Sequence, residues 1–260
     1  MSVTSDLKNN YILSVNIQNK NYKDLNNASF VTAIKNMDFK VPDGQFCCLL
    51  GPSGCGKTTL LNILSGLDNN YDGNIQFDDD SSPQDCGVGY MFQEPRLLPW
   101  LTVRQNVEIV TQQTSEDKDL SDSILETMGL SKNLESFPSQ LSGGMQRRVA
   151  IARAFINKPK ILLLDEPFIS LDFTVANRLR NMLVNIWQQQ KTTIIFVTHD
   201  LREAIFLGDR ILFLSQGPSK IIYDYKINLD RPRDMENKYI ENIRNELIKN
   251  NPSVITGVNK

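Results

Sequence analysis

Long apolar runs are absent from this chain: the longest, such as ILLL at Ile161–Leu164, fall far short of the ~20 residues that span a bilayer. A membrane role therefore has to come through a partner. An excess of positive charge is missing too, since 28 basic and 30 acidic side chains leave a net charge of -2. Without a domain-wide positive field, a nucleic-acid partner is disfavoured. Histidine occurs once, at His199, and the four cysteines, Cys47, Cys48, Cys55 and Cys86, form no C-x-x-C pair and have no histidine nearby. This argues against a zinc site and leaves the thiols as small apolar fillers in reducing surroundings, with adjacent Cys47 and Cys48 on opposite faces of a strand. The opening MSVTSDLKNNYIL lacks the basic-then-apolar order of a secretory leader, so no export is expected. No internal repeat is visible, and no linker is long enough to separate independent domains.

What is present is an ordinary globular composition, 40% apolar and 22% charged over 260 residues, enough for one large domain with a sizeable core. Tyr11–Asn19 and the alternating segment near Ile34–Val41 read as strands of an antiparallel edge, and PDG at Pro42–Gly44 as a turn. QFCCLLG reads as a buried strand running through a glycine-rich loop into a helix over KTTLLNILSGL. The acidic DDDSSPQD, Asp78–Asp85, reads as a solvated loop, and VGYMF as a strand with Gln93 at its end. From Glu94 to about Lys158, PRLLPWLTVRQNVEIV, SDSILETMGL and GGMQRRVAIARAFI all read as helical, an insertion between two halves of a core. The core resumes with KILLLDEP, a helix near Asn177–Gln190, the strand TTIIFVT, a helix near Leu201–Leu207 and the strand RILFLS. Strands alternating with helices predict a parallel sheet with right-handed crossovers. The tail Asp234–Asn250 places Tyr239, Ile240, Ile243, Leu247 and Ile248 on one helical face, expected to dock on the body.

GPSGCGKT, Gly51–Thr58, fits the phosphate-loop pattern G-x-x-x-x-G-K-[ST] in the strand–loop–helix context that it requires. The expected cradle is Gly51, Pro52, Ser53, Gly54, Cys55, Gly56, Lys57, Thr58 and Thr59. Its glycines let backbone N–H groups wrap a β-phosphate, and the following helix turns its positive end to the same anion. Lys57 would neutralise the β- and γ-phosphates, and the Thr58 hydroxyl can ligate Mg²⁺. Asp165, ending a hydrophobic strand, is placed to hold the Mg²⁺ shell, and Glu166 is the natural general base for an attacking water. Gln93 could bridge Mg²⁺ and that water, while His199 follows a strand where a parallel sheet exposes its ligand edge. A second pair of glycines, in LSGGMQRR at Leu141–Arg148, stands before another helix start. One phosphate loop does not need two such cradles.

Taken in order, GPSGCGKTT, Gln93, LSGGMQ, ILLLDEP, ISLD at Ile169–Asp172 and THD at Thr198–Asp200 resemble the ATPase subunit of an ATP-binding cassette transporter, over about Leu13 to Asp234. The resemblance implies an α/β fold: a P-loop NTPase (RecA-like) core with an antiparallel β edge and an inserted α-helical subdomain. One domain would cover 1–260, with core 1–93 and 158–260 and the helical subdomain 94–157. It also implies ATP and Mg²⁺, and a second copy of the chain bound head to tail around two composite sites. Ser142, Gly143 and Gly144 would then bind the γ-phosphate held by the opposite subunit, His199 would touch that phosphate from its own side, and Asp172 would lie in a loop coupling the two sites. An aromatic stacks on adenine just after the first strand in this family. Tyr22 occupies that place, with Phe30 as a competitor because Lys23–Phe30 is long.

FQEPRLLPWLTVRQNV and INLDRPRD are similar to importer ATPases of the nitrate, sulfonate, taurine and thiamine-precursor group. In that group the region after Gln93 receives a coupling helix of the membrane subunit, so Leu97, Leu98 and Trp100 line such a groove or else simply pack at a helix start. Transmembrane permease subunits, a periplasmic substrate-binding protein reached indirectly, and a place on the cytoplasmic face of the inner membrane follow from the same resemblance; nucleic acid does not. ISLD stands for the commoner SALD, and threonine for serine after Lys57, with no functional group lost. The alternative, a non-transport cassette ATPase acting on nucleic acid or ribosomes, normally brings coiled coils, zinc modules or tandem cassettes. A kinase-type phosphoryl transferase would not need LSGGMQ. The transported solute would be selected by the other subunits.

Overall fold

The computed structural model describes residues 11–23, 29–77, 83, 86–112 and 114–250. The chain runs β1 (Tyr11–Lys23), β2 (Phe30–Pro42), β3 (Phe46–Leu50), α1 (Lys57–Leu64), β4 (Asp72–Phe77), β5 (Val88–Met91), α2 (Val103–Glu108) and α3 (Ser115–Thr127). It continues with α4 (Gly143–Phe155), β6 (Ile161–Asp165), α5 (Phe173–Gln190), β7 (Thr193–Thr198), α6 (Leu201–Leu207), β8 (Arg210–Leu214), β9 (Ile221–Lys226) and α7 (Lys238–Asn250). Two sheets form, an antiparallel one in the order β2-β1-β4 and a larger one in the order β5-β6-β7-β3-β8-β9, parallel except for β9.

Strands β3, β6 and β7 show no alternation, because every residue in them is buried. Both faces of the large sheet are covered. One face carries Cys47, Leu49, Leu163 and Ile195 against Leu60, Leu61 and Leu64 of α1 and against Leu13, Val15 and Ile17 of the antiparallel sheet. The other carries Phe46, Cys48, Leu50, Leu164 and Phe196 against Val149 of α4, Leu179 and Leu183 of α5, Ile205 of α6 and Ile240 of α7. Cys47 and Cys48 thus enter different cores, as the sequence implies. Burial pushes the Cys47 thiol up to about 12, which makes it a filler rather than a nucleophile.

Several expectations need correction. PRLLPWLTVRQNVEIV is helical only over Val103–Glu108, where Thr102 and Gln105 form a capping box. Pro95 and Pro99 keep the preceding residues out of a helix. Buried Asn106 folds them into a loop instead: its amide donates to the carbonyls of Leu98, Leu101 and Thr102, and its oxygen accepts from the Leu98 N–H. Helix α5 begins before Asn177, at Phe173, because Asp172 caps it. Strands β4 and β9 are not foreseen: β4 carries only Ile75 and Phe77 as apolar residues, whereas β9 alternates half-buried Ile221, Tyr223 and Tyr225 with exposed neighbours, and they form by pairing with β1 and β8. In α7, Ile240 and Leu247 are buried and Ile243 and Ile248 pack beside them, but Tyr239 turns out to solvent. Asp78–Asp85 lies outside the described residues except for Pro83.

Register sets the functional edge. Leu50 of β3 pairs with Thr198 of β7, Asp165 of β6 with Val197 of β7, and Met91 of β5 with Leu164 of β6. Four parallel strands therefore end at one level. The residues that follow them, Gly51, Gln93, Glu166 and His199, are delivered to the carboxyl edge where α/β sheets bind ligands.

Candidate active site

The phosphate loop leaves β3 through two left-handed glycines, Gly54 at φ 75° and Gly56 at φ 109°, a conformation costly for other residues. Gly56 also lacks room for a side chain, since a Cβ there would lie 3.1 Å from the Ala33 carbonyl oxygen. The loop surrounds a cleft of about 300 Å³ lined by Ser53, Gly54, Gly56, Lys57, Thr58, Thr59, Gln93, Glu166 and Ile169. Pro52 and Cys55 instead face inward, both buried. Burial raises the Cys55 thiol, against the pull of Lys57.

Lys57 is buried, with 5% of its surface exposed, so its ammonium must be paired. It donates to the carbonyls of Gly51 (2.8 Å) and Pro52 (2.9 Å) and sits 3.5 Å from Glu166 Oε1. The other carboxylate oxygen, Glu166 Oε2, is 3.2 Å from His199 Nδ1. Glu166 itself is held at φ 43°, with its N–H donated to the Val197 carbonyl across the strand end. A non-glycine residue in that region is strained, and such strain is concentrated at functional sites. Thr58 Oγ1 donates to Asp165 Oδ2 at 2.7 Å, so the two predicted metal ligands are already adjacent.

Burial raises the Asp165 carboxyl above the usual carboxylate range; the Thr58 hydroxyl opposes this and the Glu166 charge adds to it. A carboxylate whose folded-state pKa is raised costs stability when ionised, at pH values above that pKa, and the cost vanishes as pH falls through it. Asp165→Asn should therefore raise the melting temperature of the nucleotide-free protein at neutral pH. The gap should close on acidification, and ATP turnover should be lost. Calorimetry at neutral and acid pH reads this directly, and a lower neutral-pH midpoint for the variant would count against it.

The second glycine pair lies elsewhere. Ser142 caps α4 by accepting from the Met145 N–H at 3.3 Å, and both Ser142 and Gly143 are exposed. Neither they nor Gly144 line the phosphate-loop cleft. A Cβ on Gly143 would meet nothing, whereas one on Gly144 would fall 2.9 Å from Val175 Cγ1 of α5. Packing accounts for Gly144, but not for Gly143. Asp172 accepts from the Val175 N–H at 3.0 Å as the cap of α5.

Tyr22 and Phe30 separate cleanly. Phe30 pairs with Lys23 and Tyr22 with Val31, and successive residues of a strand face opposite sides. The Tyr22 hydroxyl lies 3.1 Å from Asp68 Oδ2 and 3.5 Å from Thr59 Oγ1, beside the phosphate-loop helix. Lys20, itself buried and bonded to Asp68 at 2.7 Å, sits 4.5 Å from the Tyr22 ring centroid. Phe30 lines a different cleft with Asn19, Asn21 and Tyr71. Trp100 is 69% exposed, while Leu97 packs against the core and Leu98 is half-buried.

Sequence reasoning missed two connections. Arg147 of α4 donates to the carbonyls of Gln93 (3.0 Å) and Ile169 (2.8 Å), and Arg153 to those of Pro95 (2.7 Å) and Arg96 (3.0 Å). Buried Arg180 and Glu203 join α5 to α6 at 2.9 Å, and Glu203 accepts from Thr198, the residue before His199, at 2.5 Å. Their only sequence signal was charge on an otherwise apolar helical face.

A glycine-rich loop between a parallel strand and a helix, with a buried lysine and two acids at the end of β6 in the same sheet, defines a P-loop nucleoside triphosphatase with an antiparallel β edge and a helical insertion. The ABC transporter family matches residues 34–169, and the chain belongs to that family as an ATP-binding ATPase. It is 42% identical over 223 residues to an aliphatic sulfonates import ATP-binding protein, SsuB, of Bacillus cereus, covering 84% of this chain and 88% of that one. SsuB of Bacillus subtilis is 40% identical over 219 residues, covering 84% and 86%. Among solved structures, a dimeric post-hydrolysis state of the ATP-binding cassette MJ0796 bound to ADP and Pi superposes with a TM-score of 0.73 at 30% identity, over 84% of this chain and 100% of that chain.

Proposed function

We propose that this chain is the energy-coupling subunit of an importer for an aliphatic sulfonate, nitrate, taurine or a similar small solute. It would work as a head-to-tail pair, on permease subunits at the cytoplasmic face of the inner membrane, with a periplasmic binding protein delivering the solute. The observation that carries the two-copy reading is the separation of Ser142 and Gly143, exposed at the start of α4, from the cleft around Lys57. A helix N-terminus capped only by its own Ser142 and lying outside the phosphate-loop cleft is free to meet the phosphate of a second chain. The dimeric cassette that this fold resembles supports the pair, and the aliphatic sulfonate import ATP-binding proteins that its sequence resembles support the importer reading. No helix among the described residues is long and apolar enough to cross a membrane, so coupling to transport needs the permease.

In this reading ATP exchanges the present partners of Lys57, the Gly51 and Pro52 carbonyls and Glu166, for phosphate oxygens. Glu166, freed from Lys57 and oriented by His199, takes the proton of the water attacking the γ-phosphate. Mg²⁺ fits the donor set: Thr58 and Asp165 offer adjacent hard oxygens, and Gln93 stands on the same cleft. No group of three His, Cys, Asp or Glu among the described residues could hold a metal alone, as expected where substrate phosphates complete the shell. When bound, the ion would neutralise charge on the phosphates. Asp172, capping the helix that packs on Gly144, would lie in the loop that couples the two sites.

Coexpression with the permease should yield a detergent-stable complex that retains this chain. Tight, salt-sensitive binding to nucleic acid or ribosomes in its place would overturn the importer reading. Tyr22→Ala should weaken ATP binding by roughly 1–3 kcal/mol, the worth of one aromatic–base stack, and Phe30→Ala should leave it unchanged. Fluorescent-ATP titration distinguishes them, and the reverse order would move the adenine to the Phe30 face.

A further inference from the structure

Two walls of the cleft, Gln93 and Ile169, come from segments 76 residues apart and share one clamp. Arg147, on the turn of α4 that follows Ser142, spends one terminal nitrogen on the Gln93 carbonyl at 3.0 Å and the other on the Ile169 carbonyl at 2.8 Å. A planar guanidinium holds two acceptors at a set separation, which an ammonium cannot do. The start of α4 is seated independently on α5, where a Cβ on Gly144 would touch Val175. Arg153 binds the Pro95 and Arg96 carbonyls, so the stretch Gln93–Arg96 is fastened to α4 at three carbonyls. Only Arg147, of these two arginines, also reaches the second wall.

We propose that Arg147 is a positioning residue: it links the exposed first turn of α4 to both Gln93 and the Ile169–Asp172 loop, so that a phosphate met by one copy at Ser142–Gly144 sets the walls of that copy's own cleft. The inference rests on the two-copy reading for its trigger, but the clamp itself lies within one chain. Partial burial lowers the Arg147 pKa by desolvation, and the cation remains charged at neutral pH with carbonyl dipoles around it.

The test uses the full chain with Mg²⁺ and ATP, comparing Arg147→Ala, Arg147→Lys, Gln93→Ala and the Arg147→Ala/Gln93→Ala double variant. Arg147→Ala should lower kcat by about 10- to 100-fold, the scale of a small misplacement near the chemistry. Its ATP dissociation constant should move less than about threefold, because the phosphate loop is untouched. Arg147→Lys, which reaches one carbonyl at a time, should fall between wild type and Arg147→Ala. The double variant should lose less than the product of the two single losses, since both act through one side chain. Wild-type kcat in Arg147→Lys and Arg147→Ala, or multiplicative losses in the double variant, would overturn the proposal even if Arg147→Ala proved unstable to heat. Ser142→Arg, assayed in parallel, separates the two ideas: full turnover in that variant would remove the two-copy reading and leave the clamp to be judged on kcat alone.

Discussion

Glu166→Gln is expected to lower the ATP turnover rate by about 10²–10⁴-fold, the usual contribution of a positioned general base, while ATP still binds. The substitution keeps the side-chain shape and a possible contact to His199, but it removes the proton acceptor and the ion pair with Lys57. Without hydrolysis the closed pair should persist, so gel filtration with ATP should show a dimer in Glu166→Gln and a mixture in wild type. Steady, rapid hydrolysis by this variant would show that another group accepts the proton. The left-handed backbone at Glu166, φ 43°, gives a second reason to expect sensitivity, since the strained turn fixes where the carboxylate points.

Ser142→Arg should reduce turnover by about 10²–10³-fold, the loss seen when one preorganised donor to a charged oxygen is removed, without weakening ATP binding to the single chain. Ser142 is exposed and lies outside the Lys57 cleft, so no residue lining its own chain's nucleotide site is replaced. Lys57→Ala should fail earlier, at ATP binding. Mixing the two inactive variants should restore hydrolysis, because a mixed pair contains one site built from an intact phosphate loop and an intact Ser142 turn. A mixture as inactive as its components would remove the support for a head-to-tail arrangement.

The phosphate loop was legible in the sequence because each of its requirements is local. Left-handed glycines, a lysine at the helix start and a hydrophobic strand before it all fall within Phe46–Leu64. Asp165 and Glu166 were legible for the same reason, at the end of a fully buried strand. The helical reading of Pro95–Leu101 failed because its apolar spacing ignored two prolines and a buried Asn106 whose amide organises the loop from α2. Strand β4 escaped notice because an edge strand needs few apolar residues when a neighbour supplies its hydrogen bonds, while β9, with Ile221, Tyr223 and Tyr225 alternating on one face, carried a strand pattern that the sequence reading missed.

The sequence by itself marked the candidates: which residues are expected to cradle phosphate, hold a hard metal and take a proton, and a second glycine turn that one phosphate loop does not need. Short-range patterns suffice for that, since turn geometry, helix starts and buried strands are written within a few residues. Tertiary structure alone decided which parts touch. Register brought Gly51, Gln93, Glu166 and His199 to one edge, the twofold alternation of β1 and β2 placed Tyr22 by Thr59 and turned Phe30 away, and Arg147 came to bridge Gln93 and Ile169. Those contacts join segments far apart in the chain. They depend on how helices and sheets pack, which no local pattern of residues encodes.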